Sequence, residues 1–563
     1  MNVMRPAARR LLAAGAVLSL AVSTAACSSG SSGKDSPAAT GVLTVTTGST
    51  GNFTENFNPF SPNALQATHG MIYEPLFLFN QAKAGDVQPW LGKSYAWSDG
   101  GRTLTVKLRT DATWNDGKPF TARDVAFTFG LALKNKDFNS FALPLASVAA
   151  KGDDTVVLTF SESAYTKEFF ILGKQDQLPE HVWASIPDDR KKTVLNKNPV
   201  GTGAWKVRKV AGMSMDLQAR TDYYVKGLPK IKTLRYLSFS GNNGSNAAVT
   251  SGKIDWAGSF IPDIEKNYLA KNPGFDLVNI PLAVTYLVPN VRSGPTADVN
   301  VRKAVSAALD RDFMSKTVYN GQAGPTNPMA LLTPNFESVL DPSLKDAAFD
   351  TPDKAEGYLK AAGYTKGGDG FYAKDGKKLT ITLETVAGWT DYISVAQMAK
   401  QQLAKVGIDL EVRAEAYAQW GANQSAGKFQ MLLSNYGYTP VPYAYYDQLL
   451  DSRIAPRDGQ NSTVGNYGGY SNPAVDKALD AIAATPDLEK QKPYFHQIQQ
   501  AFVKDMPLIP LFNSQNEQEF DGNDVTGYPT KDDPYAGAAI WLAPDSGWVA
   551  ARISPVAGNA GKK

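Results

Sequence analysis

Cysteine is almost missing from this 563-residue chain: Cys27 is the single one. No disulfide can therefore staple the body. A chain of this length needs none, because large domains bury enough apolar surface unaided. Histidine is nearly as scarce. His69, His181 and His496 lie far apart, with no second histidine or cysteine at metal-ligand spacing. That pattern excludes an ordinary zinc site, and no metal is expected. The phosphate-cradling Gly-x-x-x-x-Gly-Lys-Ser/Thr is absent, so ATP is not bound in that way. The Gly-x-Ser-x-Gly elbow of serine hydrolases is absent too. Gly201-Thr202-Gly203 is too short for a dinucleotide fingerprint and reads as a close backbone approach or tight turn. No cofactor is expected. Excess charge is also lacking. The 57 basic residues include Arg5, Arg9 and Arg10, which precede Cys27 with no acid among them. Without those three, 54 basic residues face 54 acidic ones. The mature chain is formally neutral, which argues against a nucleic-acid partner. No second apolar run of membrane-spanning length follows the N-terminal one.

What is present begins at that N-terminus. Arg5, Arg9 and Arg10 precede an apolar run over 11–22, then Thr24, Ala25 and Ala26. Basic, apolar and small-residue regions in that order form a secretory signal, assigned to 1–26. The run is short for a membrane span. Cys27 as first mature residue resembles the lipobox of bacterial lipoproteins, although Thr24 stands where an aliphatic is usual. The resemblance implies acylation of Cys27 and a lipid anchor on the outer face of the cell membrane. Residues 27–40, rich in Ser, Gly, Ala and Pro, read as a flexible linker.

Globular sequence starts at Val42-Leu43-Thr44-Val45, a strand by its β-branched content. Over 102–109, Leu104, Val106 and Leu108 alternate with polar residues, the pattern of a half-buried strand. Asn115-Asp116-Gly117 supplies a turn, and Thr121 with Asp124 forms a capping box for the next helix. Further helices are expected over 301–313 with Asn300 as cap, over 391–406 ending at Gly407, from 472 or 473 to 484, and over 489–503. Residues 408–412 and 508–512 read as extended. Strands and helices mix throughout, an α/β pattern, and no fixed-period repeat appears.

Aromatic residues are abundant: 10 Trp, 24 Tyr and 25 Phe. Phe53, Phe57 and Phe60 surround Asn58-Pro59. Tyr436, Tyr438, Tyr443, Tyr445 and Tyr446 interleave with Pro440 and Pro442, which reads as an exposed loop suited to binding. Tyrosine suits a wet ligand cleft because it both stacks and hydrogen-bonds. The many acids also leave room for a pair of catalytic carboxylates, for example Asp255 with Glu384, as a glycosidase would need.

Several segments together carry a resemblance. They are Tyr73-Glu74-Pro75-Leu76, Pro89-Trp90-Leu91, Trp97-Ser98-Asp99-Gly100, the block from Trp114 to Val125, and Asn198-Pro199-Val200-Gly201-Thr202-Gly203. Val301-Arg302-Lys303-Ala304, Leu309-Asp310-Arg311 and Gly469-Tyr470-Ser471-Asn472-Pro473 complete the set. In this order, over 42–520, the chain resembles the family 5 extracellular solute-binding proteins of ABC importers, the oligopeptide- and dipeptide-binding class. The resemblance implies a periplasmic-binding-protein-like fold (type II, cluster C): two α/β lobes, a hinge and an extra α/β domain. Lobe I would comprise 41–72, 201–290 and 516–551. The extra domain would be 73–200, lobe II 291–515 and a flexible tail 552–563. It also implies a monomer that is not an enzyme, closing its lobes on a solute and docking on membrane permease subunits.

One departure bears on the ligand. Peptide-binding members carry a lobe II aspartate, after a tryptophan, that pairs with the peptide α-amino group. Here Tyr436 takes the tryptophan position, and Thr439 or Pro440 the aspartate position. A buried ammonium without counter-charge is costly, so Asp447 or Glu384 becomes the expected partner. The leading reading is an oligopeptide receptor. An oligosaccharide ligand, stacked on Trp256, Trp389, Trp420 and the tyrosines, is the alternative; a lipid-tethered glycosidase is the alternative from another class. The expected ligand-binding residues are Phe57, Asn58, Trp256, Trp389, Trp420, Tyr436, Tyr438 and Asp447.

Overall fold

The computed structural model describes residues 40–48, 51–61, 63–324, 326–333, 335–436, 439–458, 460–462 and 464–557. The signal, Cys27, the linker up to 39, Tyr438 and the chain from 558 onward lie outside them.

Ten strands form one continuous sheet. From edge to edge they are Asp409–Glu415, Thr380–Val386, Met431–Tyr436, Phe275–Pro289, Ile509–Asp521, Trp256–Ala257, Thr40–Thr46, Ile231–Leu237, Ser214–Ala219 and Trp205–Ala211. Its first three strands belong to one lobe and its last five to the other. Phe275–Pro289 and Ile509–Asp521 are long antiparallel partners that run through both. The order of the lobes is thus built on two strands rather than on loops.

In the second lobe the two-residue period of the strands feeds two cores. Leu287, Met431 and Leu433 face one, with Ile381, Leu383 and the buried stripe of helix Thr390–Lys405. Val284, Tyr286, Val288 and Leu432 face the other, with helices Pro473–Ala483 and Leu488–Asp505. In the first lobe, Leu43, Val45, Leu217 and Leu234 join one core with Leu104, Val106, Leu158 and Val125. The four-stranded sheet Gly92–Ser98, Thr103–Leu108, Thr155–Phe160, Leu145–Lys151 therefore has no separate interior.

Local expectations from the sequence are met where the signal is short-range. Leu104, Val106 and Leu108 are buried on alternate positions of Thr103–Leu108. Thr121 Oγ1 accepts the Arg123 N–H while Asp124 accepts the Thr121 N–H, closing the capping box of helix Ala122–Lys134. Gly407 takes the left-handed conformation, φ +83°, after helix Thr390–Lys405.

Three expectations are corrected. The helix expected over 301–313 is two: Val299–Ala308, capped by Asp298 rather than Asn300, and Arg311–Tyr319, capped by Asp310. The Asp310 carboxylate takes the Phe313 N–H at 3.0 Å, and that new N-cap ends the first helix. The tyrosine-rich loop is instead helix Pro442–Leu450, entered by Pro442 at its first turn. Tyr443, Tyr445 and Tyr446 are buried in it, because their spacing puts them on faces turned to the core. The tail expected to be loose from 552 is packed up to 556: Ile553 is buried, Ser554–Pro555 pairs with Val525–Thr526, and the Val556 N–H donates to the Asp524 carbonyl.

Candidate ligand cleft

Among the described residues, polar side chains join the lobes in two places. On one side, Lys167 Nζ lies 3.2 Å from Asp447 Oδ2, and Tyr443 Oη donates to Asp447 Oδ1 at 3.0 Å. On the other, Asn242 Nδ2, opening first-lobe helix Asn242–Thr250, donates to Thr390 Oγ1 at 3.3 Å. Phe260 of the first lobe stands edge-on to Tyr319 of the second, centroids 5.6 Å apart.

Acids gather where the crossing strands pass between the lobes. Glu517 and Glu519 sit two residues apart on Ile509–Asp521, hence on the same face. Asp391 opens helix Thr390–Lys405 beside them, with Tyr319 Oη 3.5 Å away. Glu519 is 1 % exposed. Its Oε2 accepts the Ser259 N–H at 3.0 Å, and its Oε1 has no partner among the described residues. Asp391 and Glu517 keep some access to solvent. Burial pushes the Asp391 carboxyl up to about 6. Burial, reinforced by Asp391, pushes Glu517 up to about 7. Glu519 is raised well above its ordinary value by burial and then by Glu517.

An aromatic wall stands on the second lobe. Trp389 lies 5.8 Å from Tyr417 and 6.2 Å from Trp420, and Tyr417 stacks on Trp420 at 6.1 Å. Tyr417 is 57 % exposed, and Trp420 Nε1 has no partner among the described residues. Tyr436 follows, 5.4 Å from Tyr467, its hydroxyl accepting from Gln424 Nε2 at 3.2 Å.

Of the residues singled out from sequence, the structure brings together Trp389 and Trp420. Tyr436 lies on the same lobe; Tyr438 is outside the described residues. Three expected cleft residues are corrected. Phe57 is fully buried in the first-lobe core. Asn58 is buried, its Nδ2 donating to the carbonyls of Lys191 and Val194 at 2.7 and 2.9 Å. Trp256 is fully buried, stacked on Phe520 and donating to the Ala538 carbonyl at 3.0 Å. Each looked available because aromatic and amide side chains read alike in a core and in a cleft. Asp447 is not waiting for a ligand: burial raises its carboxyl, and Lys167 answers its charge. Glu384 likewise takes Asn423 Nδ2 at 2.8 Å, with Arg413 at 4.0 Å.

Sequence reasoning missed Asp391, Glu517, Glu519 and Lys167. Glu517-Gln518-Glu519 did hold a signal: two acids on one face of an otherwise interior strand. For a metal, Asp255, Asp521 and Asp524 offer carboxylate oxygens within 4.8 Å of one another. Asp255 and Asp521 already accept backbone N–H groups, from Thr44 and Asn523. That triad therefore has a structural task.

Two lobes that share crossing strands and meet through polar and aromatic contacts are the architecture of a solute-binding protein. Residues 86–456, more than half of the chain, match the family of bacterial extracellular solute-binding proteins, family 5 Middle, and the chain belongs to that family. A putative ABC transporter peptide-binding protein of Brucella ovis is 29 % identical over 477 residues, covering 81 % of this chain and 84 % of that protein. The oligopeptide-binding protein AppA of Bacillus subtilis is 27 % identical, covering 84 % and 86 %. Among solved structures, a mannohexaose-bound periplasmic oligopeptide-binding protein of Thermotoga maritima superposes with a TM-score of 0.85, at 25 % identity over 92 % of this chain and 99 % of that one.

Proposed function

We propose that this protein is the capture component of an ABC importer. It is exported, held at the outer membrane face by a lipid on Cys27, and closes its lobes over an oligopeptide that it hands unchanged to the permease. The observation that carries this reading is the contact between the lobes, made by Lys167 with Asp447 and by Asn242 with Thr390, as a closed binding protein would make it. The names of the Brucella and Bacillus relatives support a peptide as the solute. A second reading, an oligosaccharide, is favoured by the wall of Trp389, Tyr417 and Trp420 and by the sugar in the Thermotoga structure.

The test uses protein lacking residues 1–27. One peptide from a mixed panel is expected to stabilise it, by about 2.7 kcal/mol at a hundredfold excess over Kd, and to be recovered intact. Release of fragments from that peptide would point to a hydrolase instead. For the anchor, full-length protein made in a bacterial host is expected to begin at an acylated Cys27. An unmodified mature N-terminus in the mass spectrum would remove the lipid from the proposal.

A further inference from the structure

We infer that the basic end of the first-lobe sheet docks on anionic lipid headgroups, so that the membrane surface holds the protein by this face as well as by its anchor. The inference rests on the outer-face location proposed above and on no choice of solute.

The first ground is where the charge sits. Residues 205–235 hold eight basic residues and two acidic ones, in a mature chain that is formally neutral. They supply the last three strands of the ten-stranded sheet, Trp205–Ala211, Ser214–Ala219 and Ile231–Leu237. Lys206, Arg208 and Lys209 are exposed along the edge strand. Lys226, Lys230 and Lys232 are exposed where the chain enters Ile231–Leu237.

The second ground is what these cations lack. Both acids of the stretch are taken, Asp216 by Arg235 at 2.8 Å and Asp222 by Arg220 at 3.0 Å. The six exposed cations form no ion pair among the described residues. Hydrogen bonds from Arg235 hold the Asp216 carboxyl below its ordinary range, and Arg208 and Lys209 add to that pull. Their charges therefore converge on one spot. Lysines on an edge strand also guard it against pairing with another strand. That task needs charge on the edge strand alone, whereas here it continues to Lys230 and Lys232, two strands further in.

The third ground is the tether. Lys206, Gln218, Thr233 and Val42 stand in one row across four neighbouring strands. At the usual strand spacing that row is roughly 14 Å long. Val42 lies two residues into Thr40–Thr46, the strand that the chain from Cys27 enters. Residues 28–39 can span at most about 40 Å, so an anchored chain keeps this face within reach of the bilayer. An anionic surface attracts each nearby Lys or Arg enough to raise binding about fivefold. The second-lobe strands stand at the opposite end of the sheet, so contact here leaves that lobe free to move.

The experiment is sedimentation of protein lacking residues 1–27 with vesicles. These are phosphatidylcholine alone, or phosphatidylcholine with about a third phosphatidylglycerol. Without the anchor, the protein surface is the only contact. The parent is expected to sediment with the anionic vesicles at low salt, to stay in solution with the zwitterionic ones, and to be released by about 0.5 M salt. The double variant Lys206→Gln, Lys209→Gln is expected to bind at least about tenfold more weakly. Lys377→Gln with Lys400→Gln makes the same charge change on exposed second-lobe lysines and should bind as the parent does. All four side chains are exposed, so both variants should melt with the parent. No binding to anionic vesicles overturns the inference, as does equal binding to zwitterionic ones. Equal weakening by the two double variants overturns it too, because net charge and not this face would then be responsible. Acylation of Cys27 is read separately in the mature N-terminus, and capture in the peptide panel, so either reading can fail while this one stands.

Discussion

Glu74→Ala is expected to lower the unfolding free energy by about 3–5 kcal/mol. The expected readout is a fall in the urea midpoint with little change in the slope. Glu74 is fully buried. It accepts from Tyr223 Oη and Tyr224 Oη at 2.7 Å each, and from Trp90 Nε1 at 3.0 Å. Alanine leaves those donors facing a cavity, and an unsatisfied buried donor costs about 1–3 kcal/mol. Glu74→Gln separates charge from hydrogen bonding. It keeps one oxygen acceptor, so it should cost less than alanine. Burial raises the Glu74 carboxyl above its ordinary value, against the pull of the tyrosines and Arg220. A carboxyl raised in the folded state favours the native form most at low pH and loses that advantage as pH rises through its folded value. The deficit of Glu74→Gln relative to the parent should therefore shrink as pH rises. A midpoint for Glu74→Ala within error of the parent would show that the carboxylate supports nothing.

Gly203→Ala is the second change with a large expected effect, about 3 kcal/mol or more. A methyl at Gly203 would stand 2.1 Å from the Met71 carbonyl oxygen, and one at Gly201 2.0 Å from that of Ile72. These are backbone atoms and cannot rotate aside. The segments are joined by Gly203 N–H to Ile72 O at 2.9 Å, and Arg220 Nη1 donates to the Thr202 carbonyl at 2.9 Å. Separating them breaks this knot under the first lobe. Gly117 is the control. It needs a left-handed backbone, φ +87°, but has open space around it, so Gly117→Ala should cost only about 1–2 kcal/mol. Equal urea midpoints for the two variants would mean that the close approach is not what glycine serves.

The local half of the fold was legible in the chain. The Thr121–Asp124 box, the alternation over 103–108 and the stop at Gly407 all depend on neighbours in sequence; the close approach at Gly201 and Gly203 was signalled by residue type alone, since its partners Ile72 and Met71 are distant in the chain. The family was legible too, because its ordered segments are mostly structural: Glu74, Gly201 and Gly203 hold the first lobe together. The cleft was legible only in part. Trp389 and Trp420 were found as aromatics, but Trp256 and Phe57 carried the same chemistry into the core. The buried helix at 442–450 was misread because Pro442 marks a helix start as readily as a loop. The acids were missed for a different reason. Asp391 and Glu517 come together only when a helix start and a distant strand meet, and no local pattern records that meeting.

The crossing strands Phe275–Pro289 and Ile509–Asp521 have a consequence for how the cleft moves. They are bonded to each other along most of their length, with irregularities at Pro281/Ala283 and Thr285/Tyr286 where the ladder skips a residue. Such a ribbon resists stretching and shear but flexes at its bulges. In the capture cycle proposed above, the lobes then have few ways to move apart, and opening follows nearly a single path. A solute arriving in the cleft meets a hinge with little disorder to remove, so its binding energy goes into gripping the solute rather than into stiffening the connection.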